Sequence, residues 1–311
     1  MKIVFAGTPE FALAPLRNLI ESGFEVVGVV TQGDKPQGRK GILTPPPVKT
    51  LAKELGIPVL QPEKIREALY EVRALGGELL VTCAYGQILT QEVLDLFPLG
   101  VWNIHAGLLP FYRGASPIQS CILNGERETG VCIMKTELGL DTGAVLVEER
   151  TAISDTETYG ELSARLSLLG AEAIVKALRK IETGEYALTP QSEEGARVVR
   201  KIGKEHARVD FSRTVREIVN LVRGMNPAPV AYAVLETGAL NIYRAEPAPE
   251  FFDAAGAFGE IVCDTPKKGL IVKCGDGAVR LTEVQLAGGK RMKGSDLLNG
   301  RKLQKGQVFV C

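Results

Sequence analysis

The stretch KIVFAGTPEFALAPLRNLI, Lys2 to Ile20, sets the fold class. Lys2 to Ala6 is a short apolar run that reads as a buried strand, and Gly7-Thr8-Pro9 turns the chain. Phe11, Leu13, Leu16, Leu19 and Ile20 then recur at helical spacing, with Gly23 as the stop. A second β-branched run, Val26 to Thr31, follows at once. The same alternation continues through a helical piece at Leu51 to Leu55 and strands at Val59 to Gln61, Leu79 to Cys83, Val101 to His105, Val131 to Lys135 and Ala144 to Val147. Strands without apolar/polar alternation, separated by helices, predict an α/β architecture: a Rossmann-like, mostly parallel sheet covered on both faces. A long helix after Thr156 carries Leu162, Leu166, Leu169, Ala173, Ala177, Leu178 and Ile181 along one stripe and closes at Gly184.

Beyond about Lys201 the texture changes. One helix around Val215 to Val222 is followed by the Asn226-Pro227-Ala228-Pro229 break and then by short strands separated by Gly, Asp and Pro. That pattern predicts a small OB-like β-barrel. The 311 residues suffice for two cores, so we place an N-terminal domain at residues 1–203, with a linker near 185–203, and a C-terminal domain at 204–311.

Composition narrows the classes. Hydrophobic residues at 45% and charged residues at 24% are ordinary for a globular protein and exclude a disordered or fibrous chain. No run of about 18 apolar residues occurs and the start lacks the basic flank of an export signal, so a cytoplasmic protein without membrane spans is expected. Six cysteines show no C-x-x-C spacing and two histidines are available, which predicts free thiols and no structural metal. The net charge of zero conceals an asymmetry: residues 1–203 hold 21 basic and 25 acidic side chains, the remainder 16 and 12. From Thr265 onward the balance is 10 to 3, with Lys290, Arg291, Lys293, Arg301, Lys302 and Lys305 crowded together. Such a patch suits a polyanion or is an ordinary solvated surface. Gly33 to Pro47, rich in Gly, Pro and basic residues, reads as a long loop, a form uncommon unless functional or disordered.

Chemistry concentrates after the Val101–His105 strand. Asn103 and His105 lie two apart, so both project from one face, and the Ala106–Pro110 segment that follows breaks the strand where open α/β sheets bind ligands. Asp141 sits in Leu138-Gly139-Leu140-Asp141-Thr142-Gly143, whose glycines permit tight turning. An amide, an imidazole and a carboxylate could converge there, as catalysts or as a satisfied hydrogen-bond cluster. An aspartic protease is excluded, since that chemistry needs two acids on an all-β scaffold. Gly7-Thr8-Pro9 lacks the G-x-G-x-x-G spacing, which disfavours a dinucleotide dehydrogenase and a nucleotide-binding module without catalysis.

The run from Asn103 to Gln119, NIHAGLLPFYRGASPIQ, followed by Met134 to Gly143, resembles the signature of the folate-dependent formyltransferases. Members of that family act on glycinamide ribonucleotide, on amino sugars or on methionyl-tRNA. The likeness to the methionyl-tRNA branch extends over nearly the whole chain, through FAGTPEF at Phe5 to Phe11, the basic loop and the C-terminal domain. The resemblance implies formyl transfer from 10-formyltetrahydrofolate to the α-amino group of initiator methionyl-tRNA, without a metal and by a monomer. It implies Asn103, His105 and Asp141 as the catalytic set and Gly107, Leu108, Leu109 and Pro110 as part of the folate site. Arg39 and Lys40, in the loop that reaches the acceptor arm, would join Lys290, Arg291 and Lys293 in contacting tRNA. Transfer to an amino sugar nucleotide or another small amine is the alternative. The chain departs from the family in having Gly107 for a usual serine, Phe111 at a position often basic, Ala228 for an aromatic and His206 for a common glutamate; His206 reads as a surface residue.

Overall fold

The computed structural model describes residues 1–38, 41–236, 238–300 and 303–310. Its elements run β1 (Lys2–Gly7), α1 (Leu13–Glu21), β2 (Glu25–Val30), β3 (Lys35–Gln37), β4 (Ile42–Thr44), α2 (Pro47–Glu54), β5 (Val59–Leu60), α3 (Leu69–Ala74), β6 (Leu79–Cys83), α4 (Gln91–Leu94), β7 (Val101–His105), β8 (Arg113–Gly114), α5 (Pro117–Leu123), β9 (Glu128–Lys135), β10 (Val145–Ala152), α6 (Tyr159–Thr183) and β11 (Val198–Val199). After these come α7 (Val215–Gly224), β12 (Ala231–Leu235), β13 (Gly238–Pro247), β14 (Ile261–Cys263), β15 (Leu270–Cys274), β16 (Gly277–Leu286), β17 (Met292–Lys293) and α8 (Gly294–Asn299). Two compact units result. The first comprises Met1–Pro117, Glu128–Ala152 and Ser163–Val199; the second comprises Ile118–Arg127, Ile153–Leu162 and the chain from Arg200 onward.

The first unit is built on a seven-stranded sheet in the order β10-β9-β7-β6-β1-β2-β5. Strands β5, β2, β1, β6 and β7 are parallel, and β9 and β10 complete one side antiparallel. The expected mostly parallel sheet is therefore present. Its inner strands are apolar on both sides because both faces are covered: Ile3, Val4, Phe5, Ala6, Leu79, Leu80 and Val81 are wholly buried. From β1 the chain moves one way to β2 and β5, then returns to β6 on the other side of β1. That reversal opens a crevice at the carboxyl ends of the strands. Strand β10 runs to Ala152, further than expected, because its outer half alternates in burial as an edge strand does.

Two pairings were not expected. Gly33 to Pro47 is not simply a loop: β3 and β4 form an antiparallel ribbon, Lys35 opposite Thr44 and Gln37 opposite Ile42. Its root is fixed, since the Asp34 carboxylate accepts from Lys49 at 2.7 and 2.9 Å and from Gln61 at 2.9 Å. These donors hold the Asp34 carboxyl below the usual range. The second pairing joins β8 to β11 in parallel, Val198 beside Arg113 and Val199 beside Gly114. Strands of two residues carry no readable periodicity.

In the second unit the antiparallel order is β12-β13-β16-β15-β14, with β17 on β16. Residue 310 bridges Val234 of β12 and Val308 bridges Glu260 beside β14, so the two ends of the sheet are joined and a barrel closes. Phe211, Ile218, Leu240, Val272, Leu281 and Phe309 fill its core. Helix α7 starts with a reciprocal cap in which Thr214 Oγ1 accepts from the Glu217 amide and the Glu217 carboxylate accepts from Thr214. Cys83, Cys121, Cys132, Cys263 and Cys274 are buried. No helix of the described residues is long and apolar enough to cross a membrane.

Candidate active site

Strand β7 delivers Asn103 and His105 to one face, and neighbouring strands and loops decide which of their atoms remain available. Thr82 of β6 is the register partner of Asn103, and its hydroxyl donates to Asn103 Oδ1 at 2.9 Å. The Asn103 amide is thereby oriented, with both Nδ2 protons left for another acceptor. His105 is 4% exposed, and its Nε2 lies 2.7 Å from the Tyr112 carbonyl oxygen. A carbonyl can only accept, so Nε2 carries a proton and Nδ1 is the nitrogen free to exchange one in the neutral ring.

Asp141 approaches that nitrogen. It lies between β9 and β10 with φ of 52°, a left-handed conformation that local hydrogen bonding lets aspartate adopt. Its Oδ2 is 3.6 Å from His105 Nδ1 and accepts the Gly114 amide at 2.7 Å. Gly114 itself has φ of 108°, and a Cβ there would lie 2.5 Å from the Val199 carbonyl oxygen. Only glycine allows β8 and β11 to approach so closely while presenting that amide.

The loop bearing Asp141 is held from behind by the segment that follows α6. Gln191 Nε2 donates to the carbonyl oxygens of Asp141 and Gly143, both at 2.7 Å, while its Oε1 accepts from Arg113 Nε at 3.0 Å. The buried Arg113 guanidinium also forks onto Glu193 at 3.0 and 3.3 Å, which holds the Glu193 carboxyl below its ordinary range. On either side, Thr189 bridges Val145 and the Arg197 amide donates to the Pro110 carbonyl.

His105 and Asp141 are thus brought together, with Asn103 two residues earlier on the same strand. Of the four residues expected to face folate, Leu108 and Leu109 turn their side chains inward, Leu109 packing with Cys132 and Met134, so these positions offer backbone groups. Gly107 is buried, and a Cβ there would sit 2.9 Å from Pro117 Cβ and 3.3 Å from His105 Nε2. The usual serine would enter this chain only with displacement of those neighbours. Cys132, opposite His105 in the sheet, has its thiol pushed up to about 12 by burial, so it is no thiolate nucleophile.

Lys290, Arg291 and Lys293 are exposed at the β16–β17 turn. Arg291 is already engaged: Nε lies 2.6 Å from Glu283 and the guanidinium stacks 4.1 Å above the Tyr243 ring. Lys290 and Lys293 have no ion-pair partner among the described residues. Arg39 and Lys40, like Arg301 and Lys302, lie outside the described residues. His206 is a half-exposed surface side chain whose Nδ1 accepts from the Gly203 amide at 3.1 Å. No group of three or more His, Cys, Asp or Glu among the described residues could hold a metal ion.

Sequence reasoning missed Thr82, the Tyr112 carbonyl, Gly114 and Gln191. Nothing in their spacing marks them, because each acts across a sheet register or a distant loop contact. Together the groups provide an oriented amide donor, a proton-exchanging nitrogen and an anchored carboxylate. That set can stabilise an oxyanion and move a proton.

Comparison with known proteins places the chain in a family. Residues 1–178 match the family model for formyl transferase, and residues 201–302 match that for the formyl transferase C-terminal domain. A protein of Citrifermentans bemidjiense named methionyl-tRNA formyltransferase is 45% identical over 311 residues, covering 99% of this chain and 96% of the relative. Among solved structures, HypX from Aquifex aeolicus in complex with tetrahydrofolic acid superposes with a TM-score of 0.68 at 17% identity, over 100% of this chain and 51% of that one. An N-formyltransferase from Helicobacter canadensis, solved with folinic acid and dTDP-3-aminofucose, gives 0.67 at 19% identity, over 90% and 98%.

Proposed function

This chain belongs to the formyl transferase family, and we infer from that membership that it formylates methionyl-initiator tRNA with 10-formyltetrahydrofolate. The 45% identity over nearly the full length of a protein named methionyl-tRNA formyltransferase carries the choice of substrate. The product is N-formylmethionyl-tRNA, used to begin translation. In this reading the enzyme works as a cytoplasmic monomer, residues 1–203 carry the transfer, and residues 204–311 bind tRNA.

The proposed chemistry uses Asn103, His105 and Asp141. The neutral α-amine attacks the formyl carbon, a carbon–nitrogen bond forms, and negative charge develops on the formyl oxygen. Asn103 Nδ2 donates to that oxygen; such a donor is worth about 10² to 10³ in rate. His105 Nδ1 takes the proton from the attacking nitrogen and returns it to N10 of the folate as the old carbon–nitrogen bond breaks, so one N–H is lost and one gained. Asp141 favours the imidazolium while it carries that proton. General acid–base transfer of this kind contributes about 10² to 10⁴. Neither a covalent acyl-enzyme nor a metal enters the scheme. The Gly107–Pro110 backbone serves the folate, and Arg39, Lys40, Lys290, Arg291 and Lys293 serve phosphate.

The deciding experiment supplies 10-formyltetrahydrofolate with charged initiator tRNA, and with uncharged and elongator tRNA as controls, across a salt series. Phosphate contacts release counterions, so formylation at limiting tRNA should fall steeply with salt. A flat response, together with turnover of an amino sugar nucleotide, would instead favour the small-amine alternative, which the Helicobacter canadensis likeness keeps in view.

A further inference from the structure

Two loops meet at the site, one carrying Asp141 and one whose Tyr112 carbonyl and Gly114 amide hold His105 and Asp141 in turn. Gln191 belongs to neither, yet its side chain bonds to both: Nε2 to the carbonyls of Asp141 and Gly143, Oε1 to Arg113 Nε. The orientation of this amide is not ambiguous. Arg113 Nε is only a donor and the two carbonyls are only acceptors, so the oxygen must face the arginine and the NH₂ group the loop. Gln191 satisfies the Asp141 carbonyl at a residue held in the left-handed region, where the backbone would relax if released. Its own backbone is pinned on both sides, by Thr189 to Val145 and by Arg197 to Pro110.

We propose that Gln191 is a positioning residue for formyl transfer, cross-linking the two loops and so setting the distance between His105 Nδ1 and the Asp141 carboxylate. It touches no reacting atom. The inference rests on the reading of His105 and Asp141 as the proton-handling pair, so its test includes a variant of Asp141.

The experiment compares Gln191→Glu, Gln191→Met and Asp141→Asn with the parent enzyme, measuring kcat, KM for both substrates and the thermal midpoint. Gln191→Glu keeps the shape and the acceptor for Arg113 but removes the donor; Gln191→Met keeps the volume and removes both. Each should lower kcat about 10- to 100-fold, the size expected from losing two hydrogen bonds in Gln191→Glu and three in Gln191→Met, with both KM values within about twofold of parent. Parental kcat in either Gln191 variant would overturn the proposal. So would a kcat loss accompanied by proportionate rises in KM and a lowered midpoint, which would make Gln191 part of the general scaffold. Should Asp141→Asn turn over at the parental rate, the reading of the pair itself fails and the inference falls with it.

Discussion

Replacing Thr82 by valine removes one hydroxyl from a buried position at almost constant shape, and its effect on rate can be reckoned from a single contact. The hydroxyl bonds Asn103 Oδ1 at 2.9 Å, and among the described residues its next partner is the Trp102 carbonyl at 3.5 Å. A neutral hydrogen bond contributes about 0.5 to 1.5 kcal/mol net, and 1.4 kcal/mol is tenfold in rate. Thr82→Val should therefore lower kcat by about 2- to 13-fold, through an Asn103 amide that spends time turned away from the formyl oxygen. Asn103→Ala should cost about 10² to 10³, the price of the donor itself. The two effects cannot add, because a valine at 82 has no amide left to misorient once Asn103 is gone. The double variant should match Asn103→Ala within about twofold. Single-turnover formylation at saturating co-substrate reads all four corners of the cycle. Additive losses would show that Thr82 acts through some route other than Asn103, and the assigned orientation of the amide would be wrong.

Other outcomes follow from particular contacts. Thr214→Ala should destabilise the second unit by about 1 kcal/mol in urea titration, the usual worth of a side-chain N-cap. Glu217, in the same cap, has its carboxyl lowered from 4.5, first by the Thr214 backbone amide. The advantage of the parent over Glu217→Gln should be complete above that ordinary value and vanish as pH falls through the lower folded-state value; a difference that grows in acid contradicts it. Lys290→Ala and Lys293→Ala should each flatten the salt dependence of tRNA binding by somewhat under one unit of log–log slope, and Arg291→Ala by less, since Glu283 already answers its charge. Cys132→Ala should keep kcat within about threefold, because a thiol pushed up to about 12 is protonated throughout the working range.

Much of the fold was legible because its central strands are buried on both faces. Lys2–Gly7 and Leu79–Cys83 announce themselves as mainly apolar runs, Val101–His105 as one broken by Asn103 and His105, and the 25 residues of α6 keep one stripe for seven turns. Asn103 and His105 were legible for the same reason, as polar interruptions at a strand end. The pairing of β8 with β11 was not, nor was closure of the barrel by residues 306–310, since each joins short segments far apart in the chain. Gln191 follows a proline in a stretch that reads as connection. Its significance exists only once Arg113, Asp141 and Gly143 have converged around it. The basic loop was half legible: composition revealed its charge, while the ribbon and its Asp34–Lys49 root depend on Gln61 arriving from β5.

The burial of five cysteines among the described residues turns the protein into its own reporter of opening. Cys83 and Cys132 lie in the first unit and Cys121, Cys263 and Cys274 in the second. An alkylating reagent added in brief pulses would modify each thiol only when its surroundings part, and peptide mass spectrometry would assign every adduct. Such a time course would rank the two units by kinetic resistance, within one intact chain and without any engineered probe.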